Sequence, residues 1–177
     1  SNELTPMVAT ARKIKEDHPD ASVVFIGPCA SKKLEASRRT VRSDVDFVIT
    51  FEELAGMFEA KGLLPEAVEA HDHMNDATSA GRGYGVAGGV ASAIESCIRE
   101  YYPDVEVHIE HAESLTECKK MLMLAKAGKK NGCLIEGMAC PGGCVAGAGT
   151  NIPIPQAVKE VTSFKNAAEE KLPSRED

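Results

Sequence analysis

Cys140-Pro141-Gly142-Gly143-Cys144 limits how this chain folds more than any other stretch. Two thiols stand four positions apart in a segment barred from a helix interior. Pro141 fixes its own φ and offers no N–H, while Gly142 and Gly143 permit positive φ. The stretch reads as a tight loop that presents both sulfurs. The apolar run Cys133-Leu134-Ile135 before it suits a strand, which places the loop at a strand's carboxyl end, where open α/β sheets hold their chemistry. Small neighbours allow close approach of backbone to a metal or cluster; a glycine-rich turn with two incidental thiols is the plainer alternative.

The rest of the chain supplies the frame for such a loop. Pro6 to Asp17 carries apolar residues at Met7, Val8, Ala11 and Ile14 after a Thr5-Pro6 start, a helix pattern. Ser22-Val23-Val24-Phe25-Ile26 predicts a buried strand, broken by Gly27-Pro28-Cys29. Asp46 to Thr50 predicts another strand, and Thr50 with Glu53 gives the capping-box signature of a helix that stops at Gly62. Pro65 to Gly83 is polar and aperiodic, an irregular loop. A helix follows from Val90 to Tyr102, a strand over Val105 to Ile109, a helix over Leu115 to Ala127, and a last amphipathic helix from Ile154 to Leu172. Alternating strands and helices predict an α/β fold, a mostly parallel sheet flanked by helices.

At 177 residues, 1–177 suits a single α/β domain with room for a core without disulfides. The net charge of -7 excludes the clustered basic footprint of a nucleic-acid partner. No apolar run reaches the length of a membrane span and no signal peptide is evident, so a cytoplasmic chain is expected. The six cysteines lack the spacing of a small secreted scaffold, which fits a reducing compartment. Ser1-Asn2-Glu3 has no initiator Met and reads as an artificial scar or as a cut through a longer protein.

A second cysteine motif, Pro28-Cys29-Ala30-Ser31-Lys32-Lys33-Leu34-Glu35, also follows a strand. If the loop runs into a helix, Cys29 and Lys32 fall on one side, and the ammonium lowers the thiol pKa or donates to an anionic ligand beside it. The plain alternative is a strand-to-helix turn with a surface lysine. Because parallel sheets bring strand ends together, Cys29, Cys140 and Cys144 are candidates for one shared site.

Pro28-Cys29-x-x-Lys32-Lys33-x-Glu35 and Glu136-x-Met138-Ala139-Cys140-x-x-Gly143-Cys144 resemble the second and third signature motifs of the iron-only, or [FeFe], hydrogenase large subunit. Asp46 to Leu54 is similar to that family's "DAVLTxxEL" stretch and Gly85 to Val90 to its "GxxGGV" turn. The resemblance covers most of the chain, and it implies one lobe of the catalytic (H-cluster) domain. It further implies a [4Fe-4S] cluster that shares one cysteine with a two-iron subcluster. Cys29, Cys140 and Cys144 carry over as metal ligands, with Cys144 the bridge to the two irons. Pro28 joins them in the cofactor pocket, Lys32 donates to a cyanide ligand, and Met138 packs against the diiron site, the last two in catalytic roles. The implied reaction is the anaerobic interconversion of protons and electrons with hydrogen, with a ferredoxin-like electron partner. The family's first motif, "TSCCP", is expected upstream of Thr5, in a part of the same chain that this segment needs; alone the segment is expected to be inactive, with its cofactor absent or incomplete. Gly27 stands where typical members carry Met, and Val145 to Thr150 departs from the usual glycine run. These departures suggest a hydrogen- or redox-sensing relative with little turnover as the alternative. A zinc site built from the same three cysteines and Cys133 is a third reading.

Other signals rank lower. Gly83-x-Gly85-x-x-Gly88 matches a dinucleotide fingerprint, but no strand-like run precedes it, and a tight turn for close backbone approach is the better reading. Cys97 and Cys118 lie in apolar helices as packed small residues, and Cys133 starts a strand. His71-Asp72-His73 lacks a third metal ligand, and His18, His108 and His111 read as surface or satisfied side chains.

Overall fold

The computed structural model describes residues 3–69 and 76–174. The His71-Asp72-His73 segment lies outside the described residues. Two compact units divide the chain, the first comprising Ser1–Glu69 with Gly147–Asn151 and the second Ala70–Ala146 with Ile152–Asp177.

In the first unit, α1 (Pro6–Asp17) has Pro6 in its first turn, where its missing N–H costs nothing, and buries Met7, Val8 and Ala11 on one face. The strands β1 (Val24–Gly27) and β2 (Phe47–Thr50) pair in parallel, with Val24 opposite Phe47 and Gly27 opposite Thr50. Helix α2 (Ser31–Ser37) follows β1, and α3 (Phe51–Ala60) follows β2. The capping box at α3 is complete: Thr50 Oγ1 accepts from the Glu53 amide at 3.1 Å, and Glu53 Oε2 accepts from the Thr50 amide at 2.8 Å. Gly62, just past the helix, takes a φ of +66°, as a helix-ending glycine does. The Asp46 carboxylate accepts from the Val23 amide at 2.7 Å and faces Lys15 at 2.9 Å.

The returning segment completes this unit. Gly149 donates to the Pro28 carbonyl at 2.9 Å, and its own carbonyl accepts from the Glu52 amide at 3.1 Å. A Cβ on Gly149 would lie 2.5 Å from the Thr50 Cβ, so only glycine fits there. The Asn151 side chain donates to the Phe51 carbonyl at 3.0 Å.

The second unit holds α4 (Ser79–Arg82), α5 (Gly89–Tyr101), β3 (His108–Glu113), α6 (Leu115–Lys126), β4 (Cys133–Met138) and α7 (Ile154–Asn166). β3 and β4 pair in parallel, running from His108 opposite Cys133 to Glu113 opposite Met138. The Arg82 guanidinium stacks on the Phe164 ring at 4.1 Å and donates to the Phe164 carbonyl at 3.1 Å, fastening α4 to α7.

The α/β alternation and parallel pairing agree with the sequence pattern, while the pairing is two by two: β1 with β2, and β3 with β4. Four local expectations are corrected. The stretch from Pro65 to Gly83, expected as an irregular loop, contains the short helix α4, capped by the Thr78 side chain on the Gly81 amide. The strand expected over Val105 to Ile109 runs from His108 to Glu113, because its extent is set by the partner Cys133–Met138. The last helix ends at Asn166, short of Leu172. The run expected as a buried strand leaves Val24 44% and Ile26 43% exposed, because one face of the two-stranded sheet is uncovered. The buried apolar set consists mostly of alanine and valine, with Val8 the largest side chain fully enclosed among the described residues.

Candidate metal centre

Strand β4 delivers the opening loop as the sequence predicts. Met138 ends the strand half-buried, and its carbonyl accepts from the Ser114 amide at 2.8 Å. Cys140, Pro141, Gly142 and Gly143 then form a turn closed by the Gly143 amide on the Cys140 carbonyl at 3.0 Å. Proline second, glycine third with a φ of +95°, is the residue order of a type II turn. Gly143 also has a positive φ, and a Cβ there would lie 2.4 Å from the Ala87 nitrogen. The loop is therefore pressed against the backbone of residues 85–87, and Ala87 donates to the Gly142 carbonyl at 3.0 Å. Cys140 is half-buried and Cys144 exposed at the two ends of this turn.

Two carboxylates fix the loop's surroundings: Glu136, which the sequence places in the motif without a role, and Glu113, which it does not single out. Glu113, the last residue of β3, accepts from the Gly142 amide through Oε2 at 2.7 Å. Glu136, in the middle of β4, is buried. It accepts from the amides of Gly88 (2.6 Å), Val90 (3.1 Å) and Ala91 (3.0 Å), and its Oε2 lies 3.4 Å from His111 Nδ1. Its charge thus sits at the positive end of α5. A lone acid between Ile135 and Gly137 in an apolar strand was the available signal for Glu136. Nothing local marks Glu113.

Glu136 also explains the glycine pattern at residues 83–88. Gly88 has a φ of +81°, and a Cβ on Gly89 would fall 2.0 Å from the Gly83 carbonyl oxygen, which makes this a tight turn with close backbone approach. A cavity of about 350 Å³ beside it is lined by Ser92, His111, Thr162 and Lys165 among others. The α5 amides that would receive a phosphate are already donated to Glu136, and that of Gly89 to the Val86 carbonyl at 2.9 Å.

In the first unit, Pro28 and Cys29 follow β1 and precede α2, both half-buried. The Lys32 ammonium, in the first turn of α2, lies 2.6 Å from Glu35 Oε2, and Glu35 Oε1 accepts from the Thr5 hydroxyl at 2.5 Å. Burial raises the Glu35 pKa, but hydrogen bonds from Lys32 and Thr5 and the charges of Lys32 and Arg38 outweigh it and hold the carboxyl below its usual value. Lys33 is paired with Glu53 on α3. The Phe25 ring fills the space over Gly27: a Cβ there would lie 2.9 Å from the ring.

The structure brings Met138, Cys140 and Cys144 onto one strand end in the second unit, and Pro28, Cys29 and Lys32 onto one strand end in the first. Among the described residues, no three His, Cys, Asp or Glu side chains form a group that could hold a metal ion. Cys118, half-buried on α6, reaches the Met138 carbonyl with its sulfur at 3.7 Å, and Cys133 sits opposite His108 in the β3–β4 ladder. None of the six cysteines, all among the described residues, forms a disulfide.

Residues 1–148 match the family described as "Iron only hydrogenase large subunit, C-terminal domain", and the chain belongs to that family. It is 30% identical to the periplasmic [Fe] hydrogenase large subunit of Nitratidesulfovibrio vulgaris, covering 78% of this chain and 41% of that one. It is 29% identical to iron hydrogenase 1 of Clostridium pasteurianum, over 82% of this chain and 31% of that one. The chain thus spans less than half the length of these relatives. Its fold is similar to a solved structure of the [FeFe]-hydrogenase HydA1 from Chlamydomonas reinhardtii, with a TM-score of 0.64 at 20% identity, covering 93% of this chain and 60% of that one. No helix among the described residues is long and apolar enough to cross a membrane.

Proposed function

We propose that this chain is the part of an iron-only hydrogenase catalytic subunit that carries its second and third cysteine motifs, and that the two units belong to a single domain of the parent protein. The observation that carries this reading is the Cys140–Cys144 turn. Its glycines allow backbone contacts that any Cβ would block, and its thiols form a soft donor set suited to iron-sulfur ligation. Those residues fit the cofactor that the family implies. Cys29, Cys140 and Cys144 would be its thiolate ligands, Cys144 the one nearest a two-iron subcluster, and a fourth ligand would come from an upstream part of the same parent chain.

When bound, the iron centre supplies the chemistry that interconverts protons and electrons with hydrogen. The chain's own residues hold and surround it. Lys32 has three N–H donors, and Glu35 orients the ammonium so that the remaining ones can meet an anionic ligand. Met138 and Pro28 provide apolar walls that keep water from the centre. A ferredoxin-like protein serves as electron partner, in an anaerobic cytoplasm.

The test uses the full-length parent, matured with its assembly factors without oxygen. Iron, acid-labile sulfide, an iron-carbonyl infrared band and hydrogen turnover are expected, and Cys140→Ser and Cys29→Ser should each abolish them. Zinc without iron or sulfide would overturn the cluster, and a matured protein with neither infrared signal nor turnover would overturn the reading.

A hydrogen- or redox-sensing module with slow turnover is the second reading. It is favoured by Gly27, over which Phe25 folds its ring in place of any larger side chain. An infrared signal with turnover orders of magnitude below that of an enzyme would select it.

A further inference from the structure

We propose that Glu113 is a positioning residue for the Cys140–Cys144 loop, which takes up the Gly142 amide and lowers the reduction potential of the iron-sulfur cluster held there. The inference rests on the function proposed above and assigns a role to a residue outside both cysteine motifs.

The geometry is specific. Glu113 ends β3 directly opposite Met138, the end of β4, so both strands stop at the level of the loop. Its Oε2 accepts from the Gly142 amide at 2.7 Å. The backbone that carries this side chain is itself held in place, because the Glu113 amide donates to Glu117 Oε2 at 2.9 Å. Ser114, next in the chain, takes a φ of +88°, donates its amide to the Met138 carbonyl at 2.8 Å, and accepts from the Glu117 amide at 3.3 Å. A left-handed serine is uncommon and persists only where its surroundings over-determine it.

Gly142 stands between the two thiols, at the third position of the turn with a φ of +95°. An N–H beside ligating sulfurs donates to sulfur if nothing else accepts it, and such donation favours the reduced cluster. Glu113 removes that donor and adds a negative charge beside the loop. Both effects oppose the extra electron, so both lower the potential.

The test compares Glu113→Gln and Glu113→Ala with wild type in the full-length parent, its cluster reduced by one electron from dithionite and followed by electron paramagnetic resonance against potential. Glutamine keeps an oxygen acceptor and removes the charge. It is expected to raise the reduced-to-oxidised ratio at the wild-type midpoint about threefold. Alanine removes both and should raise the ratio about tenfold, about 59 mV for a one-electron couple. Hydrogen exchange of the Gly142 amide should quicken in Glu113→Ala and stay near wild type in Glu113→Gln. A loaded wild type whose potential neither variant shifts, or a Gly142 amide whose exchange is unchanged in Glu113→Ala, overturns this inference. A wild-type parent that holds no iron and sulfide overturns the proposed function instead, and the amide exchange then judges the positioning role alone.

Discussion

Glu136 accepts the Gly88 amide at 2.6 Å, so that a carboxylate from the middle of β4 closes the start of α5. Val90 and Ala91 donate to the same group. Replacing Glu136 with alanine leaves three amides without an acceptor in a buried place, and a loss of about 2–4 kcal/mol is expected on chemical denaturation. Glutamine retains one good acceptor and should lose less. Equal stability of wild type and Glu136→Ala would show that water replaces the carboxylate fully.

Two glycines make opposite predictions. Gly143→Ala puts a Cβ 2.4 Å from the Ala87 nitrogen at a φ of +94°, and should cost at least about 2 kcal/mol and the iron content of the parent. Gly56 lies inside α3 with nothing within 4 Å of an added Cβ. Gly56→Ala should therefore stabilise by about 0.5–1 kcal/mol, through helix propensity alone. Thermal denaturation of both variants checks the pair.

Acid should weaken the first unit. Hydrogen bonding from the Val23 amide, then from Lys15, holds the Asp46 carboxyl below its ordinary value. Glu53 is lowered first by its hydrogen bond from Lys33, then by that from the Thr50 amide. A carboxyl whose folded pKa is depressed contributes stability in full above the ordinary carboxylate range and loses it as pH falls through the depressed value. Stability measured down that range should fall, and less steeply in Asp46→Asn. An unchanged slope in that variant would remove Asp46 from the account.

Apolar side chains on both units are left to solvent, among them Phe47 at 62% and Leu115 at 75% exposure. Patches of this kind mark surfaces that are normally covered. The 177-residue chain alone should bind a hydrophobic dye and self-associate, and Phe47→Thr should reduce both. A monomer without dye binding would contradict this.

What the sequence disclosed follows from the range of each interaction. The box of Thr50 and Glu53 and the helix at Pro6 depend on neighbours a turn away, so they were legible in the order of residues. The Cys140 turn was legible for the same reason, since Pro141 and Gly142 dictate it locally. The limits of β3 were not, because they depend on pairing with a strand reached only after α6. Glu113 was invisible as a loop partner because its contact with Gly142 spans 29 positions and leaves no mark at either end. The pairing of strands two by two likewise lies in contacts between elements, which periodicity within an element does not encode.

Gly149 and Asn151 reach back to Pro28 and Phe51, the latter across 100 positions. The order of synthesis follows from this. The strand end that bears Cys29 emerges from the ribosome early, but its last hydrogen bonds must wait until the Cys140–Cys144 loop has been made. Completion of the first thiol's surroundings is therefore tied to the birth of the other two, and a chain truncated before Gly149 leaves that strand end unfinished.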